Sequence, residues 1–137
     1  MLHFAIRNNN VEIIKELLKT YGLNLNSQNS IGEFPLMMAT KSKNLDLIHL
    51  LCEYDIDINQ VDNDGQTCLL YAIENGLNEI ATFYISHQGT NINKGNEQGM
   101  TPLMVAIKNN SIEICLAILS HPDIDIYFKD NEGISTY

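Results

Sequence analysis

Apolar residues recur along the chain at the spacing of short amphipathic helices. Val11, Ile13, Ile14, Leu17 and Leu18 follow offsets of three, four and seven residues, which place side chains on one face of an α-helix. Comparable stripes follow in three later segments, at 45–52, 80–85 and 112–119. The pattern predicts four such helices, each burying its apolar stripe.

The stripes belong to a repeat that runs through the whole chain. Four glycines are separated by 33, 34 and 34 residues, namely Gly32, Gly65, Gly99 and Gly133. The same period relates Leu2, Leu36, Leu69 and Leu103, then Ala5, Ala39, Ala72 and Ala106, and also Asn26, Asn59 and Asn93. A fixed period of this length predicts stacked supersecondary units.

Each unit contains a polar turn, a short first helix, a polar break and the striped second helix. The clearest helix start is Thr101-Pro102, with threonine as the N-cap and proline at the first helical position. Thr67 keeps the cap without the proline, whereas Phe34-Pro35 keeps the proline without the cap. The first helix of that fourth unit should run from Pro102 to about Lys108.

These motifs resemble the ankyrin repeat. The resemblance lies in Gly-Met-Thr-Pro-Leu at 99–103, the in-phase alanines and Asp-Ile-Asn at 57–59. It implies an all-α solenoid of four helix pairs plus a partial fifth, with turn tips projecting to one side. The units are expected at about 1–28, 29–61, 62–95, 96–129 and 130–137. The usual histidine of the family occurs as His3, where it is expected to tie the turn by hydrogen bonding, and apolar residues replace it in later units.

The two ends of the chain lack the polar capping units that a solenoid needs. The first unit has no leading turn, and the sequence stops at Ser135-Thr136-Tyr137, where a helix should begin. We therefore expect a fragment, or part of a larger protein whose remainder covers the C-terminal apolar edge.

Charge and cysteine content narrow the function classes. The net charge of −9 opposes binding to nucleic acid or anionic membrane, and there is no basic block to offset it. Three cysteines indicate no disulfide framework and favour a reducing, intracellular setting. The cytoplasm is the expected compartment, with the nucleus as the alternative. No apolar run has the length of a membrane span.

No catalytic motif is present, so we predict a protein that is not an enzyme and carries no cofactor or metal. His49 and Cys52 have a spacing that permits a shared metal, but no second pair accompanies them, and core packing is the simpler role for Cys52 and Cys115. His87 and His121 end the second helices of their units, where a structural role competes with pH sensing. The Asp-Ile-Asp segments at 55–57 and 123–125 are interpreted as solvated turns, not calcium loops.

The resemblance also implies a binding surface, the concave face, formed by the turn tips and the exposed sides of the first helices. It predicts a non-catalytic scaffold that binds a protein with a neutral or basic surface; the alternative is a regulatory or targeting segment of a larger enzyme or effector. Carried over by register, the contact positions are Arg7, Gln28, Ile31, Glu33, Lys41, Val61, Asn63, Asp64, Gln66, Tyr71, Glu74, Glu97, Gln98, Met100, Lys108, Lys129 and Ile134.

Three further expectations concern particular residues of this surface and its turns. Ile31, Val61, Met100 and Ile134 are expected to form an exposed apolar strip at the turn tips. Tyr71 is the aromatic residue best placed for a methyl-lysine cage, an alternative use of the same face. The resemblance marks Asn26, Asn59 and Asn93 as possible hydroxylation sites, although hydrogen bonding in the turns is a sufficient role for them.

Overall fold

The computed structural model describes residues 2–126, and this part of the chain is all-helical. It contains eight α-helices in four pairs: α1 (Leu2–Arg7) with α2 (Val11–Tyr21), α3 (Pro35–Lys41) with α4 (Leu45–Cys52), α5 (Cys68–Glu74) with α6 (Asn78–Ser86), and α7 (Pro102–Lys108) with α8 (Ile112–Leu119). The predicted bounds of α7 are confirmed. We refer to the four pairs, with their turns, as units 1 to 4.

The helices begin where side chains satisfy free backbone N–H groups. Thr67 and Thr101 accept hydrogen bonds from the N–H groups of Leu70 and Met104, as N-cap residues do. Phe34 makes no such bond, so Pro35 alone marks the start of α3. The predicted caps are therefore confirmed.

The breaks between paired helices place one residue in the left-handed region. Gly76 has φ of 71° there, but Asn9, Lys43 and Asn110 have φ between 58° and 59° in the other units. Lysine adopts this region rarely. In units 1 and 2 the next residue, Asn10 or Asn44, caps the second helix, so the break and the helix start form one compact turn.

Neighbouring units pack through equivalent helices. α1 packs on α3, α3 on α5 and α5 on α7, while α2 packs on α4 and α6 on α8. The repeating leucines and alanines of the first helices are buried between them. The solenoid arrangement predicted from the period is thus confirmed within residues 2–126.

The expected burial of every apolar stripe is wrong at the two ends of the stack. Ile13 on α2 and Leu119 on α8 are exposed, although their equivalents Leu47, Ile80 and Ile85 in the inner units lie in the core. The reason is that a stripe is wide enough to contact units on both sides, and units 1 and 4 have a neighbour on one side only within the described residues. No helix of residues 2–126 has the length and hydropathy needed to cross a membrane.

Candidate functional site

The turn tips that border the concave face share one hydrogen-bonding scheme. In unit 2, the Oδ1 atom of Asn29 accepts from the N–H groups of Ile31 and Glu33 at 3.1 and 3.0 Å. Asp62 and Asn96 do the same in units 3 and 4, 33 and 34 residues further on. The signal in the sequence is an Asn or Asp three residues before each repeating glycine. The side chains of these three residues hold the backbone of each tip, and the side chains at the apex of the tip take no part in these hydrogen bonds.

Successive tips lie so close together that glycine is required at two positions. Gly32 and Gly65 have φ of 84° and 74°, in the region that L-residues avoid. The Asn63 side chain lies over Gly32 and that of Glu97 lies over Gly65, at 2.3 and 2.5 Å from where a Cβ would be. Two predicted contact residues, Asn63 and Glu97, therefore also join each tip to the one before it.

The inner helices present one residue each at an equivalent position on the concave face. These residues are Arg7, Lys41, Glu74 and Lys108, and all four are exposed. The row reads positive, positive, negative, positive in a chain with a net charge of −9. The concave face is therefore more basic along its helices than the protein as a whole.

Lys41 connects a tip to the next inner helix. Its ammonium group lies 3.6 Å from Glu33 Oε2 and 5.6 Å from the centre of the Tyr71 ring. A solvent-accessible ion pair of this kind contributes little to stability. The cation nearest Tyr71 thus belongs to the chain itself. The ring contacts of residues 2–126 involve Phe83 and not Tyr71, so the structure offers no second aromatic wall for a methyl-lysine cage.

A cleft opens on the concave face between units 3 and 4. Its volume is about 480 Å³, and the residues that line it are Gln66, Glu74, Asn96, Gln98, Met100, Val105 and Lys108. Five of these were predicted from the sequence, whereas Asn96 and Val105 were missed because one organises a tip and the other is buried. The side-chain amides of Gln66 and Gln98 make no hydrogen bond within residues 2–126. The cleft combines an apolar wall, free amides and two opposite charges.

Among residues 2–126, the predicted apolar strip along the tips does not form. Ile31 is 64% exposed, as expected, but Val61 and Met100 are half-buried. Val61 and Met100 are not equivalent to Ile31 in the repeat: Met100 packs against the core, and the carbonyl of Val61 accepts from Gln28 Nε2 at 3.1 Å. Asp64 and Gln98, the true equivalents of Ile31, are polar. Lys129 and Ile134 lie outside the described residues.

The repeating asparagines form a ladder that joins each unit to the next. The Asn59 amide accepts from the N–H of Asn91 at 2.7 Å and donates to the carbonyl of Gly89 at 2.9 Å. Asn93 makes the equivalent two bonds: it accepts from the N–H of Asp125 and donates to the carbonyl of Asp123. Asn26 makes only the equivalent of the first bond, in which it accepts from the N–H of Asp57. The hydrogen-bonding role expected for these residues is confirmed, and their hydroxylation stays a prediction.

The histidines have structural contacts. Nε2 of His3 lies 3.1 Å from the Ser27 carbonyl, so it ties the turn as the resemblance predicted. His49 packs on Phe83 of the next unit, with ring centres 4.4 Å apart. The N–H of Asp123 donates to Nδ1 of His121. Within residues 2–126 no three side chains of the metal-binding types come together.

The thiols are poor nucleophiles because burial opposes their ionisation. Burial raises the pKa of Cys68 to about 12 and that of Cys52 to about 11, and it raises the pKa of Cys115 as well. Cys68 lies fully buried beside the hydroxyl groups of Thr40 and Tyr84. Only the thiolate form attacks electrophiles, so none of the three cysteines is activated.

Alkylation by iodoacetamide at pH 8 should follow burial. We expect Cys115 to react first, Cys52 more slowly and Cys68 only after unfolding, because both access and ionisation decline in that order. Peptide mass spectrometry over a time course measures this. In guanidinium chloride the three rates should converge. Modification of Cys68 in the native protein as fast as Cys115 would contradict the buried position.

Comparisons with known proteins agree with this arrangement. The family described as "Ankyrin repeats (3 copies)" matches residues 2–96 and 58–130. A solved ankyrin repeat domain from Acinetobacter baumannii AYE is similar in structure, with a TM-score of 0.87, 26% identity, and coverage of 98% of this chain and 67% of that one.

Two curated proteins illustrate the sequence similarity. Ankyrin repeat and SAM domain-containing protein 6 of Mus musculus is 31% identical over 91 residues, which are 66% of this chain and 10% of that protein. Interferon antagonist OPG040 of Vaccinia virus (strain Western Reserve) is 30% identical over 84 residues, which are 61% of this chain and 28% of that protein. The matched region is thus a minor part of each curated relative.

Proposed function

Because the chain belongs to the ankyrin-repeat family, whose members are generally protein-interaction modules, we propose that it is a non-catalytic scaffold that binds a partner protein on its concave face. The observation that carries the proposal is the cleft between units 3 and 4, where five of the register-derived contact positions meet.

The composition of the cleft suggests what it holds. Met100 and Val105 supply an apolar wall. The side-chain amides of Gln66 and Gln98, which make no hydrogen bond within residues 2–126, can pair with the backbone of an extended segment. Glu74 and Lys108 offer opposite charges to its flanks. A partner segment with one apolar side chain between polar neighbours fits these groups best. The acidic residues Glu33, Asp64 and Glu97 at the turn tips, together with the net charge of −9, favour a neutral or basic partner surface around that contact.

Charge reversal in the cleft should reduce partner binding by about tenfold or more, which is the scale of a central contact residue. The cleft variant is Gln98→Arg/Lys108→Glu, and its matched control on the outer helices is Lys15→Glu/Thr82→Arg. Both pairs change the net charge by −1 and replace exposed residues. Affinity capture from cells that produce the protein, with quantitative mass spectrometry, identifies the partner; calorimetric titration of the purified pair then gives the affinities.

Partner binding by the cleft variant and by the control variant distinguishes the concave face from the outer helices. Loss of the partner by the cleft variant, with retention by the control, supports the concave face. If both variants keep the partner equally well, the face is wrongly assigned. Thermal unfolding of both variants checks that the fold is intact.

A second candidate function is a regulatory or targeting segment within a larger protein. It is favoured by the relatives, of which this chain matches 10% and 28%. Fusing the chain to a reporter enzyme distinguishes the two: a targeting segment relocates the reporter in cells, and the cleft variant should abolish that relocation if the same face is used.

A further inference from the structure

A second cavity lies between units 3 and 4, where helices α6 and α8 end, and we name it the helix-end cavity. Residues 85–90 of unit 3 line one side of it, and Ala117 with residues 120–123 of unit 4 line the other. Its volume is about 420 Å³, which is within the range of small-molecule sites. It shares no residue with the cleft on the concave face, so it needs an explanation of its own.

The residue at position 90 departs from the repeat. Its equivalents in the other units are Leu23, Ile56 and Ile124, which pack against the core as partly buried residues. Thr90 places a hydroxyl at this apolar position, and the hydroxyl oxygen is buried without a hydrogen-bond partner in residues 2–126. A buried polar group that stays unpaired lowers stability. The hydroxyl therefore disfavours the fold unless a molecule in the cavity bonds to it.

The side chain at position 117 is also smaller than its equivalents in the inner units. Leu50 and Phe83 occupy this position on α4 and α6, whereas α8 has alanine. The Phe83 ring packs on His49 of the preceding unit, with ring centres 4.4 Å apart. Ala117 lines the helix-end cavity and has no ring with which to pack on unit 3. The cavity thus includes a space that the previous interface fills with an aromatic ring.

The polar atoms of the cavity can bond to a hydroxyl group. Nδ1 of His87, like the hydroxyl oxygen of Thr90, is buried and has no hydrogen-bond partner in the described part of the chain. Both residues line the cavity. A hydroxyl donates and accepts, and an imidazole nitrogen does one or the other according to its tautomer. A ligand hydroxyl can therefore pair with either atom.

The charges around the cavity favour a cation. Helix α6 ends at Ser86 and α8 ends at Leu119, so the partial negative charges of two helix C-termini lie beside the cavity. Asp123 adds a carboxylate, and no lysine or arginine lines the cavity. Within residues 2–126 the histidines and Asp123 form no metal-binding group. The expected cation is therefore organic.

We propose that the helix-end cavity binds a small organic cation that carries one aromatic ring and a hydroxyl group. The ring occupies the space beside Ala117, the hydroxyl pairs with His87 or Thr90, and the ammonium group is held near Asp123 and the helix ends. The site is separate from the concave face, so the chain can hold this molecule and a partner protein at the same time.

Three compounds that differ in one group test the ligand class on the full chain. Tyramine has the ring, the hydroxyl and the ammonium group; phenethylamine lacks the hydroxyl, and hydroxyphenylpropionate has a carboxylate in place of the ammonium group. Tyramine should bind with a Kd of about 1 mM, the scale for so small a molecule. The other two should bind about tenfold more weakly, because one loses a hydrogen bond and the other brings a negative charge. Amide NMR titration measures the affinities, and the shifts should be confined to residues 85–90 and 117–123.

Matched variants at position 90 test the site itself. Thr90→Ile restores the residue type of the other units, so it should raise the melting temperature and weaken tyramine binding by about tenfold or more. Thr90→Ser keeps the hydroxyl and should bind tyramine as the wild type does. Thr82→Ile makes the same replacement at an exposed position of α6 outside the cavity, and it should leave binding unchanged.

Three results would overturn the proposal, and none of them depends on the partner protein. If the wild type does not bind tyramine, the cavity holds water only. If phenethylamine or hydroxyphenylpropionate binds as tightly as tyramine, the ligand class is wrong. If Thr90→Ile binds tyramine as well as the wild type does, the compound binds elsewhere.

Discussion

Replacing Tyr84 by alanine is expected to lower the free energy of unfolding by about 3–5 kcal/mol, the range for removing a large buried aromatic side chain. Tyr84 is fully buried on α6, and its ring also lies 5.6 Å from that of Phe83. Its hydroxyl reaches back to Thr40 of the preceding unit at 2.6 Å. The alanine variant therefore loses packing within unit 3 and the bond to unit 2. Urea unfolding followed by circular dichroism measures the change.

The Tyr84→Phe variant separates the ring from the hydroxyl. It should cost about 1 kcal/mol, the net value of one hydrogen bond, because the Thr40 hydroxyl keeps its bond to the Leu36 carbonyl at 2.7 Å. Adding Thr40→Val to this variant should lower the free energy of unfolding little further. If phenylalanine destabilises as much as alanine, the hydroxyl pair and not the packing dominates, and the interpretation of this residue as core is wrong.

The Asn59→Ala change should lower the free energy of unfolding by about 1–3 kcal/mol, since it removes two hydrogen bonds between units. The amide bonds to the N–H of Asn91 and the carbonyl of Gly89, and a methyl group can replace neither bond. Denaturant unfolding measures the loss.

Two matched asparagines serve as controls for Asn59. Asn26→Ala removes a single inter-unit bond through the side chain and should cost less. Asn78→Ala removes an exposed side chain without a hydrogen bond in residues 2–126 and should be nearly neutral. Equal effects at the three positions would show that the ladder does not connect the units.

The period of the sequence predicts the fold because it places each residue within a unit. Thr67 and Thr101 start helices in the structure as their position in the repeat requires, and Tyr84 lies in the core as its stripe indicates. Residues that act inside one unit are therefore predictable from one copy of the motif.

The period predicts contacts between units less well. Ile13 and Leu119 have the residue type of a buried stripe, yet each is exposed because burial at those positions depends on an adjacent unit. Likewise, Met100 is half-buried because its side chain packs against the core, which spans all the units. Five of the seven residues that line the cleft were predicted, but the cavity itself was not, since it depends on how the tip of unit 4 stands relative to α5.

The hydrogen bonds of Asn29, Asp62 and Asn96 have a consequence for how such a protein diversifies. These side chains hold each tip from its base, while the apex residues Ile31, Asp64 and Gln98 contribute only their backbone N–H groups. Apex side chains can therefore be exchanged without rebuilding the loop. Under the proposed function, selectivity for a new target then depends on three outward-facing residues on an unchanged frame, and inherited variation at those codons is expected to alter recognition while leaving the architecture unchanged.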